Sequence, residues 1–526
     1  GWGRAQKRIR VVCVGGGNLN FVEGNHGELR NQGTRDLRNE GPMLTIEERN
    51  KQITIIMHIE QIYTGCLAQG AYYIESKGEA VIVDPLRETS GYVEKAKERG
   101  ATIKYILETH FHADFVSGHV DLAAKTGATI VYGPTAQPDF NFHSATDGEI
   151  LKLGDVKIKV LHTPGHTMES TCYLLMDEDG KEHSIYTGDT LFIGDVGRPD
   201  LAQKAASMTQ EELAATLFNS LRTKVMTLPA DVIVYPGHGA GSACGKNMSS
   251  KTWDTIGGQL ESNYALKADM TEEQFVKEVT DGLLPPPQYF PKNVAMNKSA
   301  IVSIDEVLER GTVALDPEMF EGIANHEGAM VLDTRSPGEF VKGHVPNAIF
   351  IGIDGSFAPW VGSLIPDLNQ PLIVIAPEGR EEEVVTRLSR VGYDNTLGYL
   401  NGGLDAWVAA GKEVETIEQV TANEFAERMD AEGLQLIDVR KPGEFEAEHV
   451  DGAWSLPLDY VNDKMDVLEE DKTYYAHCAS GYRSVIFNSI LKARGKHNVI
   501  DVAGGFEALS ATTLPKTDYV CPSTLK

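Results

Sequence analysis

The feature that most constrains this chain is an internal repeat. Val331-Leu-Asp-Thr-Arg-Ser-Pro-Gly-Glu-Phe-Val-Lys-Gly-His-Val345 returns as Leu436-Ile-Asp-Val-Arg-Lys-Pro-Gly-Glu-Phe-Glu-Ala-Glu-His-Val450, 105 residues later. Gly398–Trp407 returns as Ile500–Leu509 at an offset of 102. Each copy has an apolar strand ending in Asp-x-Arg, a Pro-Gly turn and a helical stretch. A second apolar strand follows (Leu372–Ala376, Thr473–His477), then a loop and a helix. Strands alternating with helices predict a parallel sheet covered on both faces. A period this long means tandem domains, not solenoid units. The copies are placed at 297–415 and 416–526, after a Pro-rich linker or rigid turn at Leu284–Pro287 and Pro291.

In the second copy the late strand runs into His477-Cys478-Ala479-Ser480-Gly481-Tyr482-Arg483. A tight loop at a helix start aims N–H groups and positive potential at one point. Both effects, with the Arg483 charge, favour a nucleophilic thiolate on Cys478. A lone cysteine is more often a buried inert residue; strand, loop and arginine together weigh against that here. The first copy reads Ala376-Pro377-Glu378-Gly379-Arg380-Glu381-Glu382-Glu383 at the same place. It has no thiol and sets three carboxylates where an anion would sit, so it is expected to be silent.

The N-terminal half predicts four apolar strands, each ending in a loop of ligand-type residues. They are Ile103–Leu107 before Thr109-His110-Phe111-His112-Ala113-Asp114-Phe115, Val156–Leu161 before Pro164-Gly165-His166, Ser184–Thr187 before Gly188-Asp189, and Val232–Tyr235 before Gly237-His238. Histidines and carboxylates delivered to one sheet edge make a metal site. Spacing alone does not choose between His110 and His112 as ligands. Cys244 lies just beyond His238; it is a possible sulfur relay or simply a packed residue.

The remaining features bound the partners. Formal net charge is −28, and residues 1–56 carry +3 of their own. So acidic a chain is a poor ligand for nucleic acid or an anionic membrane. No stretch approaches a membrane span. The six cysteines are scattered, which argues against structural disulfides and Cys-rich zinc sites and for a reducing cytoplasmic compartment. Folded protein is expected from Met57. Residues 1–56, Gly-rich and weakly periodic, are expected to be disordered or non-native.

These motifs resemble known families. The segment 57–296 resembles the metallo-β-lactamase superfamily, an αββα sandwich with metals at the sheet edge. The two copies resemble rhodanese sulfurtransferases, doubly wound parallel-sheet domains; Cys-x4-Arg matches the rhodanese loop, one residue shorter than that of cysteine phosphatases. The superfamily's usual His-x-His-x-Asp-His ends here in Phe115, which cannot ligate a second metal, and His119 does not fit the pattern. That departure favours a mononuclear centre and the persulfide dioxygenase branch. The resemblance then implies one Fe(II) per chain on His110, His166 and Asp189, with His112, Asp114 and His238 orienting ligands or substrate. It also implies that Arg198 binds the carboxylate end of a thiol carrier. Over about 470 residues the domain order resembles bacterial persulfide dioxygenase–sulfurtransferase fusions. The implied partners are a small thiol persulfide, O2, sulfite and thiosulfate, with sulfide detoxification as the role. A homo-oligomer is an open expectation, the silent copy offering a surface for it. Two rival readings stand beside this: a zinc-dependent glyoxalase II-like thioester hydrolase fused to a sulfurtransferase, and a non-catalytic sulfur-carrier scaffold.

Overall fold

The computed structural model describes residues 8–12, 21–22, 57–283, 285–432 and 435–521. It divides into two units, Gly1–Phe111 with Ser117–Leu283, and His112–Val116 with Leu284–Lys526. The division at 283–284 precedes the expected boundary at 296–297. Pro291 opens the helix Phe290–Asn297, consistent with a fixed φ suited to a first helical turn.

In the first unit two sheets face each other. One, of eight strands, runs in the order Phe21–Val22, Arg8–Val12, His58–Thr64, Gln69–Ser76, Glu79–Val83, Thr102–Leu107, Thr129–Tyr132, His143–Ser144. The other, of six, runs Asp254–Thr255, Ile233–Pro236, Glu182–Gly188, Thr171–Met176, Val156–His162, Ile150–Leu153. Val156–His162 shows why. Val156, Ile158 and Val160 point inward to Tyr72, Ile74 and Tyr186, while Lys157 is left exposed; side chains alternate across a strand. The outer face of the second sheet is covered by helices Gln210–Ser220 and Glu272–Thr280, which bury Leu213, Leu217, Phe275 and Val279. A Thr209–Glu212 capping box starts the first of these helices, a device contributing about 1 kcal/mol. Ser90–Arg99 and His119–Thr126 pack on the first sheet. Most of residues 1–56 lies outside the described residues, so the expectation of disorder there does too. Within that segment Arg8–Val12 pairs antiparallel with His58–Thr64, from Arg8 opposite Ile62 to Val12 opposite His58.

The second unit holds two five-stranded sheets of the same topology. Their orders are Ala314–Leu315, Thr396–Leu400, Leu372–Ile375, Met330–Asp333, Ile349–Phe350, and Gln419–Thr421, Val499–Ala503, Tyr474–His477, Gln435–Asp438, Trp454–Ser455. Every pairing is parallel, so each connection must cross a face, and helices such as Glu381–Ser389 and Tyr482–Ala493 do so. Among the described residues no helix is long and apolar enough to cross a membrane.

One buried group makes the second copy pH-sensitive. Asp501, fully buried on Val499–Ala503, accepts a hydrogen bond from Gln419 Nε2 at 2.7 Å. Burial raises its carboxyl to about 6, against the opposing bonds of Ser484 and Gln419. The folded value lies above the unfolded one, so the fold disfavours the ionised form. The cost is absent below pH about 4 and complete above about 6. Asp501→Asn is therefore expected to stabilise the chain at pH 8 by on the order of 2–3 kcal/mol and not at pH 4. Urea unfolding at the two pH values reads this, and an equal effect at both would contradict it.

Candidate functional site

His110, His166 and Asp189 meet at the ends of three strands. All are buried, and their candidate ligand atoms lie within 4.8 Å of one another. Asp189 Oδ2 is 3.8 Å from His110 Nε2 and 3.6 Å from His166 Nε2. An ion with bonds of about 2.0–2.2 Å can span such a set. The surrounding hydrogen bonds set the ligand atoms. Thr109 Oγ1 donates its only proton to Asp84 Oδ2 at 2.9 Å, so it accepts from His110 Nδ1 at 3.0 Å. His166 Nδ1 donates to the Arg198 carbonyl at 2.8 Å. Both rings thus keep the Nε2 lone pair for a metal. His238 Nδ1 donates to Asp189 Oδ1 at 2.9 Å, while buried Asp189 Oδ2 has no hydrogen-bond partner. Burial would raise the Asp189 carboxyl, yet the imidazoles of His238, His110 and His166 hold it below the usual carboxylate range. An orphaned, ionised carboxylate oxygen beside two imidazole lone pairs fits a divalent cation. The backbone comes very close here. A Cβ on Gly197 would stand 2.0 Å from Asp189 O and 2.9 Å from His166 Nδ1.

The second constellation surrounds Cys478, which is buried at 1% exposure. The loop's outward carbonyls are occupied, since Cys478 O accepts from Phe506 N at 2.6 Å and Ala479 O from Glu507 N at 3.1 Å. On the inner side Gly481 N donates to Cys478 Sγ at 3.1 Å, and Gly481 has φ of +105°, a region that favours glycine. Arg483 does not stand free beside the sulfur. Its Nη1 and Nη2 donate to Glu444 at 2.6 and 2.8 Å. Burial opposes both charges, but the pairing prevails, holding Glu444 below the usual carboxylate range and Arg483 above its own.

Sequence comparison identifies the segments that carry both constellations. The profile of the metallo-beta-lactamase superfamily matches residues 64–238, and that of the rhodanese-like domain matches 316–410 and 421–512. A probable hydroxyacylglutathione hydrolase of Schizosaccharomyces pombe is 30% identical over 211 residues, 38% of this chain and 77% of that protein. Human mitochondrial persulfide dioxygenase ETHE1 is 30% identical over 222 residues, 42% of this chain and 78% of that protein. The chain belongs to the metallo-β-lactamase superfamily. A crystal structure of a metallo-beta-lactamase from Staphylococcus aureus subsp. aureus COL aligns with a TM-score of 0.58 at 30% identity, covering 66% of this chain and 99% of that one. The superfamily sandwich is followed here by two rhodanese-like domains.

Within this metallo-β-lactamase framework the other expected residues are placed as follows. His112 and Asp114 are buried on the loop after Thr102–Leu107, and the main chain of that loop receives Asn297 Nδ2 at His112 O and Phe115 O, both at 2.8 Å. Phe115 is fully buried against the His112 ring, with centroids 4.3 Å apart. Cys244 is buried within 4.8 Å of a ring nitrogen of His238. Arg198 is 6% exposed, and its guanidinium grips Asp200 at 2.6 and 2.7 Å. A carboxylate ligand there would have to displace Asp200, whereas the Arg198 backbone already orients His166. In the first rhodanese-like copy Arg380 pairs with Asp354 and Glu383, both at 2.8 Å. Two residues escape the sequence reading. Asp84 orders the Thr109–His110 pair from the end of Glu79–Val83, where Val-Asp-Pro is the signal. Glu444 is visible in the sequence only as part of the repeated Pro-Gly-Glu-Phe.

Proposed function

We propose that this chain oxidises a low-molecular-weight thiol persulfide with O2 at one Fe(II) on His110, His166 and Asp189, and that Cys478 transfers sulfane sulfur. The reactions are RSSH + O2 + H2O → RSH + SO3(2−) + 2H+, and RSSH + SO3(2−) → RSH + S2O3(2−), the second running in either direction through Cys478. The observation that carries this reading is a buried two-His, one-carboxylate set in a chain where Phe115 replaces the usual second-metal histidine. Such a set leaves open positions and suits Fe(II), which when bound supplies the means to bring O2 and a sulfur anion to reaction together.

The residues do the rest. Asp84, through Thr109, and the Arg198 carbonyl hold the two imidazoles with Nε2 inward. His238 fixes the Asp189 carboxylate and leaves one oxygen for the metal. The burial of His110, His166 and Asp189 limits the access of bulk water to the centre they form. In the second rhodanese-like domain Cys478 attacks the outer sulfur of the donor, releases the thiol and holds a persulfide. The Gly481 N–H faces its sulfur, and Glu444 keeps Arg483 in place. A reducing cytoplasm is the setting we propose, in keeping with six scattered cysteines and no paired framework in the sequence.

The relatives named hydroxyacylglutathione hydrolases match at the same identity as those named persulfide dioxygenase, so a zinc thioester hydrolase is the second reading. Metal analysis and an oxygen electrode on anaerobically purified protein separate the two. We expect iron and persulfide-dependent O2 uptake. Zinc, thioester hydrolysis and no O2 uptake would overturn the proposal.

A further inference from the structure

We infer that the silent rhodanese-like copy seats the reactive loop of the active one, and that Tyr482 is the positioning residue through which it does so. This rests on the reading of Cys478 as a sulfur carrier.

Tyr482 directly follows Gly481, whose N–H faces Cys478 Sγ, and opens the helix Tyr482–Ala493. Its side chain belongs to the other copy's surroundings. The hydroxyl donates to Gly352 O at 2.7 Å, and the ring meets Phe350 edge-on at 5.8 Å. The seat is cut to the ring by two glycines. A Cβ on Gly355 would stand 2.3 Å from Tyr482 Cζ, and one on Gly352 3.1 Å from Cε2. Burial pushes the hydroxyl well above its ordinary value, so it donates throughout the working pH range.

The seat is itself gripped by the silent loop and by the helix Glu381–Ser389 that follows it. Arg387 Nη1 donates to Ile353 O at 2.7 Å, and Arg380 Nη1 to Asp354 Oδ1 at 2.8 Å. Ile353 N donates to Thr334 O at 2.9 Å. A second tie, Phe350 N to Ser489 Oγ at 3.0 Å, holds the same helix two turns on. Arg380 stands within the segment that matches the anion cradle of the active copy. The copy without a thiol at this place carries the contacts to the loop of the copy that has one. Because a misplacement of about 1 Å can cost roughly a hundredfold in rate, such a seat acts on Cys478 without touching it.

Tyr482→Ala, Gly355→Ala and Tyr482→Phe test this in the full chain. The readouts are thiosulfate formation and labelling of Cys478 by iodoacetamide, with thermal unfolding as the folding control. Tyr482→Ala and Gly355→Ala are expected to lower kcat and the labelling rate about tenfold or more, with KM for sulfite changed by less than about twofold. Tyr482→Phe, which keeps the ring in its seat, is expected to recover to within about threefold of wild type. If Tyr482→Ala does not fold, Gly355→Ala carries the test, adding one methyl group on the other copy. Wild-type kcat and labelling in folded Gly355→Ala or Tyr482→Ala would overturn the inference and leave Cys478 as the carrier. No transfer by wild type, with labelling unchanged in Cys478→Ser, would overturn the reading of Cys478 and the inference with it.

Discussion

His166→Ala is expected to empty the metal centre and to lower persulfide-dependent O2 uptake by at least about a hundredfold. Few other single changes should do as much. His166 is one of the three buried ligands proposed above, its Nε2 lies 3.6 Å from Asp189 Oδ2, and the Arg198 carbonyl fixes its tautomer. Alanine leaves one imidazole and a carboxylate, too few to hold an ion against water. Asp189 would also lose one of the three imidazoles that keep it ionised. Metal content and O2 uptake should fall together, while sulfur transfer from thiosulfate by Cys478 continues. Full iron with unchanged O2 uptake would remove His166 from the ligand set.

Cys478→Ser should give the complementary result. Thiosulfate formation is expected to fall below about 1% of wild type, because a serine hydroxyl is neither ionised near neutral pH nor able to hold a sulfane sulfur. O2 uptake should stay within about twofold, since the proposed metal ligands all lie on the first unit. Equal loss of both activities would contradict the division of labour between the domains.

The parts legible in the sequence were those carried by short-range pattern. Apolar runs predicted at Ile103–Leu107, Val156–Leu161, Ser184–Thr187 and Val232–Tyr235 are the strands Thr102–Leu107, Val156–His162, Glu182–Gly188 and Ile233–Pro236. Strand ends are where a sheet delivers side chains to its edge, so the loops that carry His110, His112, His166 and Asp189 could be picked out without coordinates, while the preference for His110 over His112 comes only from the family resemblance. The repeat likewise announces two sheets of one topology, because the same alternation of strand and helix recurs. What stayed hidden depends on distant pairing. Nothing local to Arg483 marks Glu444, 39 residues earlier, as its partner. Arg198 reads as available until Asp200 is seen against it. Tyr482 reads as a helix-start residue, and only the folded chain sets it on Gly352, 130 residues away. Arg8–Val12 pairs with a strand that begins 46 residues after it ends, from within a segment whose weak periodicity gives no sign of it.

The two glycines under Tyr482 also bear on how such a chain can change over generations. Losing a catalytic cysteine usually frees a duplicated domain to drift or be deleted. Here deletion of the first copy would expose a tyrosine ring and leave its hydroxyl without Gly352 O, so on the seating inferred above the loss would be felt at Cys478, a thiol the copy never owned. On that inference, a shuffled or truncated gene carrying only the last domain is expected to begin with impaired sulfur transfer. Gly352 and Gly355 should stay glycine in any descendant that keeps both the aromatic ring and a working sulfur-transfer step.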